Sequence, residues 1–296
     1  MNLNDDIRIG TLVSAEDKAA YIRRILPYGF ESFSLTWWEN LGNIDLEHTA
    51  DAVNKVLDGS GITISSLSVF GNLLENDEKA EISRRDFKRV VAAAANFGVD
   101  TVTGFTGRLR GRTVPESLER FREVWTPLVE FAGEHGLRIA WENCPMEGNW
   151  QAGDWNIAFC PDAWELMFAA LPLKNCGLQW EPCHQMFQLI DPLPQIRTWK
   201  NRIFLLHGKD ATIRHEVIRQ CGIGGSESFV LPRTPGFGDT NWTDIISELR
   251  LVGFHGAIDI EGWHDPVYRD ELEMTGQIHA LNYLKQCRGG TFVPNP

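Results

Sequence analysis

"GLQWEPCHQM", residues Gly177–Met186, carries an apolar run straight into a group of polar residues. Its first half is typical of a buried β-strand, but the run ends at Glu181, and His184 follows one turn later. In parallel α/β proteins the carboxyl ends of the strands hold the active site. The stretch therefore predicts a strand that delivers a carboxylate to such a site, provided that other strands end in the same way.

Three further apolar segments do end in this way. "LRIAWENCP" ends at Glu142, "RIFLLHGKD" reaches His207 and then Lys209, and "GAIDIEGWHD" ends at Glu261. Along the whole chain, short runs rich in β-branched and aromatic residues alternate with segments of helical period. The predicted strands are Ile7–Val13, Ser32–Trp37, Thr63–Val69, Thr101–Phe105, Arg138–Glu142, Gly177–Glu181, Ile203–His207 and Ala257–Glu261.

A strand followed by a helix, repeated eight times, predicts parallel strands joined by crossovers. Closure into a (β/α)8 TIM barrel leaves no open edge, so we expect a single α/β barrel domain over residues 1–296. Gly98 and Gly136 are predicted to end helices, and Ser14–Asp17 is predicted to form a capping box that opens the first helix. Residues 211–241 show no clear period and are expected to form a long loop on one face.

Composition excludes several classes of protein. The formal net charge of −12 opposes a phosphate backbone, so nucleic acid is not expected as a partner. The six cysteines show no metal-binding spacing, and no uncharged run approaches the roughly 18 residues of a membrane span. The N-terminal residues lack the pattern of a signal peptide, so a cytoplasmic location with no membrane contact is expected.

The four strand ends predict a metal site. A barrel directs Glu142, Glu181, His207 and Glu261 towards one place, where three carboxylates would repel each other strongly without a cation. Mixed oxygen and nitrogen donors suit Mn²⁺, Mg²⁺, Co²⁺ or Fe²⁺, with Zn²⁺ as a further candidate, better than a metal that prefers thiolates.

"WENCPM", "GLQWEPCH", "RIFLLHGKD", "RTPGFGDTNW" and "IEGWHDP" together resemble the xylose-isomerase-like sugar phosphate isomerase/epimerase superfamily, which includes the AP-endonuclease-type barrels. The resemblance extends over nearly the whole chain and implies one divalent cation, often manganese, on the same four residues. It also implies that Glu142 and Glu261 exchange protons with the substrate and that His184 contacts it. Relatives are commonly dimers or tetramers, so a homo-oligomer is expected.

The sequence departs from the family at one point. The usual Asp-Pro-Ser-His motif reads Glu181-Pro182-Cys183-His184 here, and the extra methylene moves the carboxylate by about one bond length. Glu181 could still bind the cation directly or could act from outside the ligand set. Cys183 could be a thiolate ligand, but strand alternation favours a packed thiol. His184 could be a fifth ligand or could hydrogen-bond the substrate.

These residues suit proton abstraction next to a carbonyl, with the cation stabilising the enediolate. Desolvation is expected to raise the pKa of the carboxylate base towards the working range. Return of the proton to the opposite face gives epimerisation, and its return to the neighbouring carbon gives isomerisation. Expulsion of a β-leaving group would instead give a lyase or dehydratase acting on a keto-sugar, keto-glycoside or keto-inositol.

Further residues are predicted to bind the sugar or sugar derivative. They are His184, Lys209, Trp38, Asn72 and Arg108. Lys209 could contact the substrate or neutralise Asp210. Arg108 could bind a phosphate together with Arg110 and Arg112, or all three could belong to a solvated loop.

Two other functions use the same fold. A DNA repair nuclease would need several more His and Asp ligands and a basic groove, and the sequence shows neither. A sugar-binding subunit without catalysis would not need both Glu142 and Glu261.

Overall fold

A closed barrel of parallel strands forms the centre of the computed structural model, which describes residues 6–290. The strands are β1 Arg8–Val13, β2 Ser32–Trp38, β3 Thr63–Phe70, β4 Thr101–Gly104, β5 Arg138–Glu142, β6 Cys176–Trp180, β7 Ile203–Gly208, β8 Asp210–Ile213, β9 Val230–Arg233 and β10 Ala257–Ile260. Around the barrel the order is β1-β10-β7-β6-β5-β4-β3-β2. The predicted fold is confirmed, and each predicted barrel strand ends within one residue of its observed bounds.

Helices flank the barrel and connect its strands. They are α1 Lys18–Ile25, α2 Leu46–Leu57, α3 Glu78–Ala93, α4 Val114–Glu134, α5 Pro161–Ala170, α6 Pro182–Met186, α7 Pro192–Trp199, α8 His215–Cys221, α9 Trp242–Leu251 and α10 Glu273–Arg288. Gly98 and Gly136 follow helical segments with φ of 68° and 70°, the left-handed conformation that favours glycine.

The predicted capping box of the first helix was wrong. α1 begins at Lys18, and the cap is Asp17, whose carboxylate accepts a hydrogen bond from the Ala20 amide at 2.9 Å. Ser14 and Asp17 are equally good N-cap residues by type, so the sequence spacing could not show that the helix begins after Asp17. A reciprocal capping box does occur at α4, where Thr113 and Glu116 bond each other's backbone amides.

The segment 211–241 is not an irregular loop as predicted. It contains α8 and most of an antiparallel pair formed by β8 and β9, in register from Asp210↔Arg233 to Ile213↔Val230. Ala211 and Val230 pack with Cys183 in a small buried cluster. The strands have only four residues each, too few for a period to be visible in the sequence.

The chain divides into two compact units. In the unit of Leu12–Trp180 and Asn201–Leu205, Trp141 packs against Phe121 and Trp125 of α4, with ring centroids 5.2 Å apart in both pairs. In the same unit, β2 and β3 are joined by a buried hydrogen bond between the hydroxyl groups of Ser34 and Ser66 at 2.8 Å.

The other unit comprises residues 6–11, 181–200 and 206–290 of the described chain. In it, α10 is tied to the first strand, because Thr11 Oγ1 donates to Gln277 Oε1 at 2.7 Å and Arg288 donates to the Ile7 carbonyl at 2.7 Å. Among the residues that the structure describes, no helix has the length and apolarity required to cross a bilayer.

Candidate active site

Glu261 is a carboxylate of the candidate site that two neighbouring side chains hold in place. It follows β10 directly and is buried; its Oε1 accepts a hydrogen bond from Lys209 Nζ at 2.6 Å, and its Oε2 lies 3.0 Å from His207 Nδ1. His207 is brought close because β7 and β10 are paired in register at His207↔Asp259. The site thus begins with a buried anion between two nitrogen donors.

Electrostatics at Glu261 differ from expectation. Burial alone would raise the pKa of its carboxyl group, but the charge of Lys209 and the hydrogen bond and charge of His207 outweigh burial. The net effect holds the pKa of Glu261 well below its usual range. The expectation that desolvation raises the pKa of this carboxylate was therefore wrong. The pKa is lowered by residues that are distant in sequence, since Lys209 is 52 residues from Glu261.

Glu181 and His184 lie at the junction of β6 and α6. Glu181 caps α6 in an extended conformation, and Pro182 occupies the first helical position, where its fixed φ favours helix initiation. The single turn that follows brings His184 Nε2 into direct contact with Glu181 Oε1. Both side chains are buried, so a strand, a proline and one helical turn are sufficient to place a carboxylate and an imidazole together.

Glu142 ends β5, and its backbone is fixed by a residue that the sequence did not single out. Asn156 Nδ2 donates to the carbonyl oxygens of Glu142 and Cys144, both at 2.8 Å. Its Oδ1 accepts from Thr106 Oγ1 at 2.5 Å, which ties the segment after β4 to the same point. The only sequence signal for Asn156 is its place in a polar loop after a candidate strand end, and many loop residues share that property.

The structure brings together the four side chains at the predicted strand ends. Glu142, Glu181, His207 and Glu261 each offer one ligand atom, these atoms lie within 4.8 Å of one another, and all four residues are buried. A second group of the same kind consists of Glu142, Cys144 and His184.

The first group fits a divalent cation. Two ligands bound to one such ion at about 2.1 Å are at most about 4.2 Å apart, so small side-chain rotations would close the set. Three carboxylates and an imidazole form the oxygen and nitrogen donor set that Mn²⁺ and its neighbours accept. The residues present therefore fit the cation that the sequence implies, while the identity of the ion stays a prediction.

A family model described as a xylose isomerase-like TIM barrel matches residues 22–287. The chain belongs to this family. No curated protein sequence matches the chain.

Solved structures with the same fold include several sugar epimerases. The 3-keto-D-glucoside 4-epimerase from E. coli matches with a TM-score of 0.71 and 15% identity, over 95% of this chain and 100% of that one. D-psicose 3-epimerase matches with a TM-score of 0.69 and 16% identity, over 96% and 100% of the two chains. A xylose isomerase domain protein from Planctomyces limnophilus matches at 0.71 and 14%, over 96% and 98%. At these identities, the likeness is one of fold.

Two of the predicted substrate-binding residues in this xylose isomerase-like barrel donate hydrogen bonds to the backbone of loops. Arg108 is buried, and its guanidinium donates to the carbonyl oxygens of Arg112, Asn149 and Trp150. Asn72 donates to the carbonyls of Arg108 and Asp154, both at 2.7 Å, and accepts from the Arg108 amide at 3.0 Å. Backbone groups occupy most polar atoms of Arg108 and Asn72, and substrate contact by these two residues stays a prediction.

The neighbouring arginines also lie in surface contacts. Arg110 pairs with Asp77 at 2.9 Å, and Arg112 pairs with Glu116 at 3.6 Å. These contacts favour the interpretation of a solvated loop over that of a phosphate site.

The ammonium group of Lys209 pairs with Glu261. Asp210 accepts hydrogen bonds from the Ala211 and Thr240 amides and from Trp242 Nε1, while burial raises the pKa of its carboxyl group. Contact between Lys209 and a substrate stays a prediction.

The thiol of Cys183 is buried in the apolar cluster with Ala211 and Val230, and burial raises its pKa well above the usual value. The structure thus favours the packed thiol. All six cysteines are free thiols.

Trp38 is exposed at the carboxyl end of β2. Its side chain is 52% exposed, although it contacts Trp155 and Phe105 with ring centroids 5.7 and 6.2 Å apart. Phe105 in turn packs on Phe70 at 4.9 Å. Trp38 is therefore the exposed edge of an aromatic group at the strand ends, and the group offers a flat apolar surface of the kind that sugar C–H faces contact.

Proposed function

We propose that this protein is a divalent-metal-dependent sugar isomerase or epimerase that abstracts a proton next to a carbonyl. The observation that carries the proposal is the buried group of Glu142, Glu181, His207 and Glu261. This group unites a metal-binding donor set with two carboxylates that can move protons.

Two findings support this assignment beyond the cluster itself. The family comprises xylose isomerase-like barrels, and structures of the same fold include enzymes named as epimerases of a 3-keto-glucoside and of D-psicose. The sugar substrate of our proposal is inferred from those names together with the exposed aromatic surface at Trp38.

The cation, most favourably Mn²⁺, would be held by the four residues of the group and would polarise a carbonyl and a neighbouring hydroxyl oxygen. Glu261 is ionised at neutral pH because Lys209 and His207 lower its pKa, and this is the state that accepting a proton requires. Glu142 is the proposed partner that returns a proton to the other face of the substrate. His184 and Lys209 are proposed to hydrogen-bond substrate hydroxyl groups and orient the reacting carbon.

The decisive experiment follows solvent deuterium. The manganese-loaded protein is incubated in D₂O with free ketoses and with a 3-keto-glucoside, and NMR follows the label. We expect deuterium at one carbon next to the carbonyl, together with an isomeric product. Glu261→Gln should lower the exchange rate by about 10²–10⁴-fold, the usual contribution of a general acid or base.

Glu123→Gln is the matched control, since Glu123 is exposed, pairs with Arg120 on α4 and should leave the exchange rate unchanged. Release of water or an aglycone, with loss of the hydrogen at that carbon and formation of a double bond, would assign the lyase outcome instead. No exchange with any of these sugars, or full exchange in Glu261→Gln, would contradict the proposal.

A further inference from the structure

Gln179 is a buried amide that the proposed mechanism does not use. Its side chain lies in β6 with a relative exposure of 0%. Among residues 6–290, neither its Nε2 nor its Oε1 has a hydrogen-bond partner. A buried amide in this state costs roughly 1–3 kcal/mol, so a side chain of this kind needs an explanation.

The strand register places Gln179 beside the candidate site. Glu142 of β5 is the direct register partner of Gln179 in the parallel β5–β6 ladder. Register partners in neighbouring strands point to the same face and lie about 4.8 Å apart, within reach of two long side chains. Gln179 also precedes Glu181 by two residues, and both residues are extended, so these two side chains share a face as well.

The next pair of residues on this face has no side-chain hydrogen-bond donor or acceptor. The next register pair on this face, two residues earlier in each strand, is Ala140 and Gly177. A methyl group and a hydrogen atom neither donate nor accept through the side chain. The carboxamide of Gln179 therefore has its nearest polar side chain on this ladder at Glu142.

We propose that Gln179 is a positioning residue for the candidate cation site and that it holds the carboxylate of Glu142. With a cation held at Glu142, Gln179 Nε2 would donate to a free oxygen of that carboxylate and would fix its orientation. Gln179 Oε1 is left to accept a hydrogen bond from water or from a substrate hydroxyl group. This inference rests on the proposed function, because it requires that Glu142 binds a cation.

The role has a physical cost and a physical benefit. In the cation-free protein the amide is buried without a partner, which destabilises the fold. In the loaded protein it orients a ligand, and residues that orient ligands typically contribute 10–100-fold to metal affinity. If Gln179 had only a structural role, its replacement would lower the stability of the fold and leave the affinity for the cation unchanged.

The test compares Mn²⁺ affinity with the thermal stability of the cation-free protein. Mn²⁺ is titrated into wild type and Gln179→Met, and the free ion is measured by electron paramagnetic resonance. Methionine is nearly isosteric with glutamine but has no amide. We expect the Mn²⁺ dissociation constant to rise 10–100-fold, while the melting temperature of the chelator-treated variant stays equal to that of wild type or increases.

Gln195→Met is the matched control. Gln195 is also buried, but its Nε2 donates to Gln185 Oε1 at 2.7 Å. This variant should melt at a lower temperature and bind Mn²⁺ with unchanged affinity. Unchanged Mn²⁺ affinity in Gln179→Met would overturn the inference, and so would a loss of affinity accompanied by a lowered melting temperature. Failure of wild type to bind Mn²⁺ would instead show in the reference titration and would remove the proposed function together with the inference.

Discussion

Lys209 shows how one residue can fix the charge state of the site. Its ammonium group is buried 2.6 Å from Glu261 Oε1, so each charge compensates the other in a region that excludes water. Removing one partner of a buried ion pair costs about 3–5 kcal/mol, because the remaining charge is left without compensation. We expect Lys209→Met to lose stability of this order at pH 7 in the cation-free protein, as measured by urea unfolding.

The pH dependence of that loss follows from the direction of the shift. Glu261 has a folded-state pKa below its ordinary value of 4.5, so its pair stabilises the fold above that pH and loses this contribution as the pH falls through the folded-state pKa. The difference between wild type and Lys209→Met should therefore narrow as the pH falls below 4.5. Arg110→Met is the control, since its exposed pair with Asp77 should change stability by about 1 kcal/mol or less. An equal difference at pH 7 and well below pH 4.5 would contradict this account.

At the scale of elements, Arg108 and Asn72 tie the segments after β3, β4 and β5 to one another. Arg108 reaches two carbonyls of the loop after β5, and a Cβ at Gly153 would lie 2.7 Å from Arg108 Nη1, so the close approach requires glycine there. This is also the loop that carries Asn156, which fixes the backbone of Glu142. The position of Glu142 therefore depends on hydrogen bonds within the loops, whether or not these residues contact the substrate.

Arg108→Met should loosen this loop. Several buried carbonyls lose a charged donor, and each such hydrogen bond contributes about 1.5–3 kcal/mol, so we expect a loss of about 3 kcal/mol or more in urea unfolding. Hydrogen exchange should rise in residues 145–155. Arg112→Met is the control, because its exposed side chain pairs only loosely with Glu116 while its carbonyl is retained. If hydrogen exchange in residues 145–155 of Arg108→Met equals that of wild type, Arg108 does not stabilise this loop.

The barrel strands are the elements that the sequence predicts best. The barrel strands could be predicted to within one residue because a continuous apolar run marks a strand that is buried on both faces. The sequence predicts substrate contact for Arg108 and Asn72 because both residues lie near strand ends. The backbone carbonyls that occupy their polar atoms belong to loops as far as 82 residues away, and no local pattern reports them.

For the whole molecule, closure of the barrel determines which residues meet. Glu142, Glu181, His207 and Glu261 are spread over 120 residues, yet parallel strands in one closed sheet bring their carboxyl ends to the same edge. The convergence could therefore be anticipated from strand order alone. The contacts between side chains inside the site could not be anticipated in this way. The contact between Lys209 and Glu261, for example, depends on side-chain rotamers that strand order does not determine.

This convergence predicts that cation binding stabilises the whole fold. A ligand that binds only the folded protein adds about 2.7 kcal/mol at one hundred times its dissociation constant. We expect Mn²⁺ to raise the melting temperature of chelator-treated protein by several degrees in a calorimetric scan, and we expect excess chelator to reverse the shift. Glu142→Gln should lose most of the shift, whereas Glu123→Gln should retain it, because Glu123 lies exposed on α4 in an ion pair with Arg120. An equal response of both variants to Mn²⁺ would mean that the ion binds elsewhere on this acidic protein.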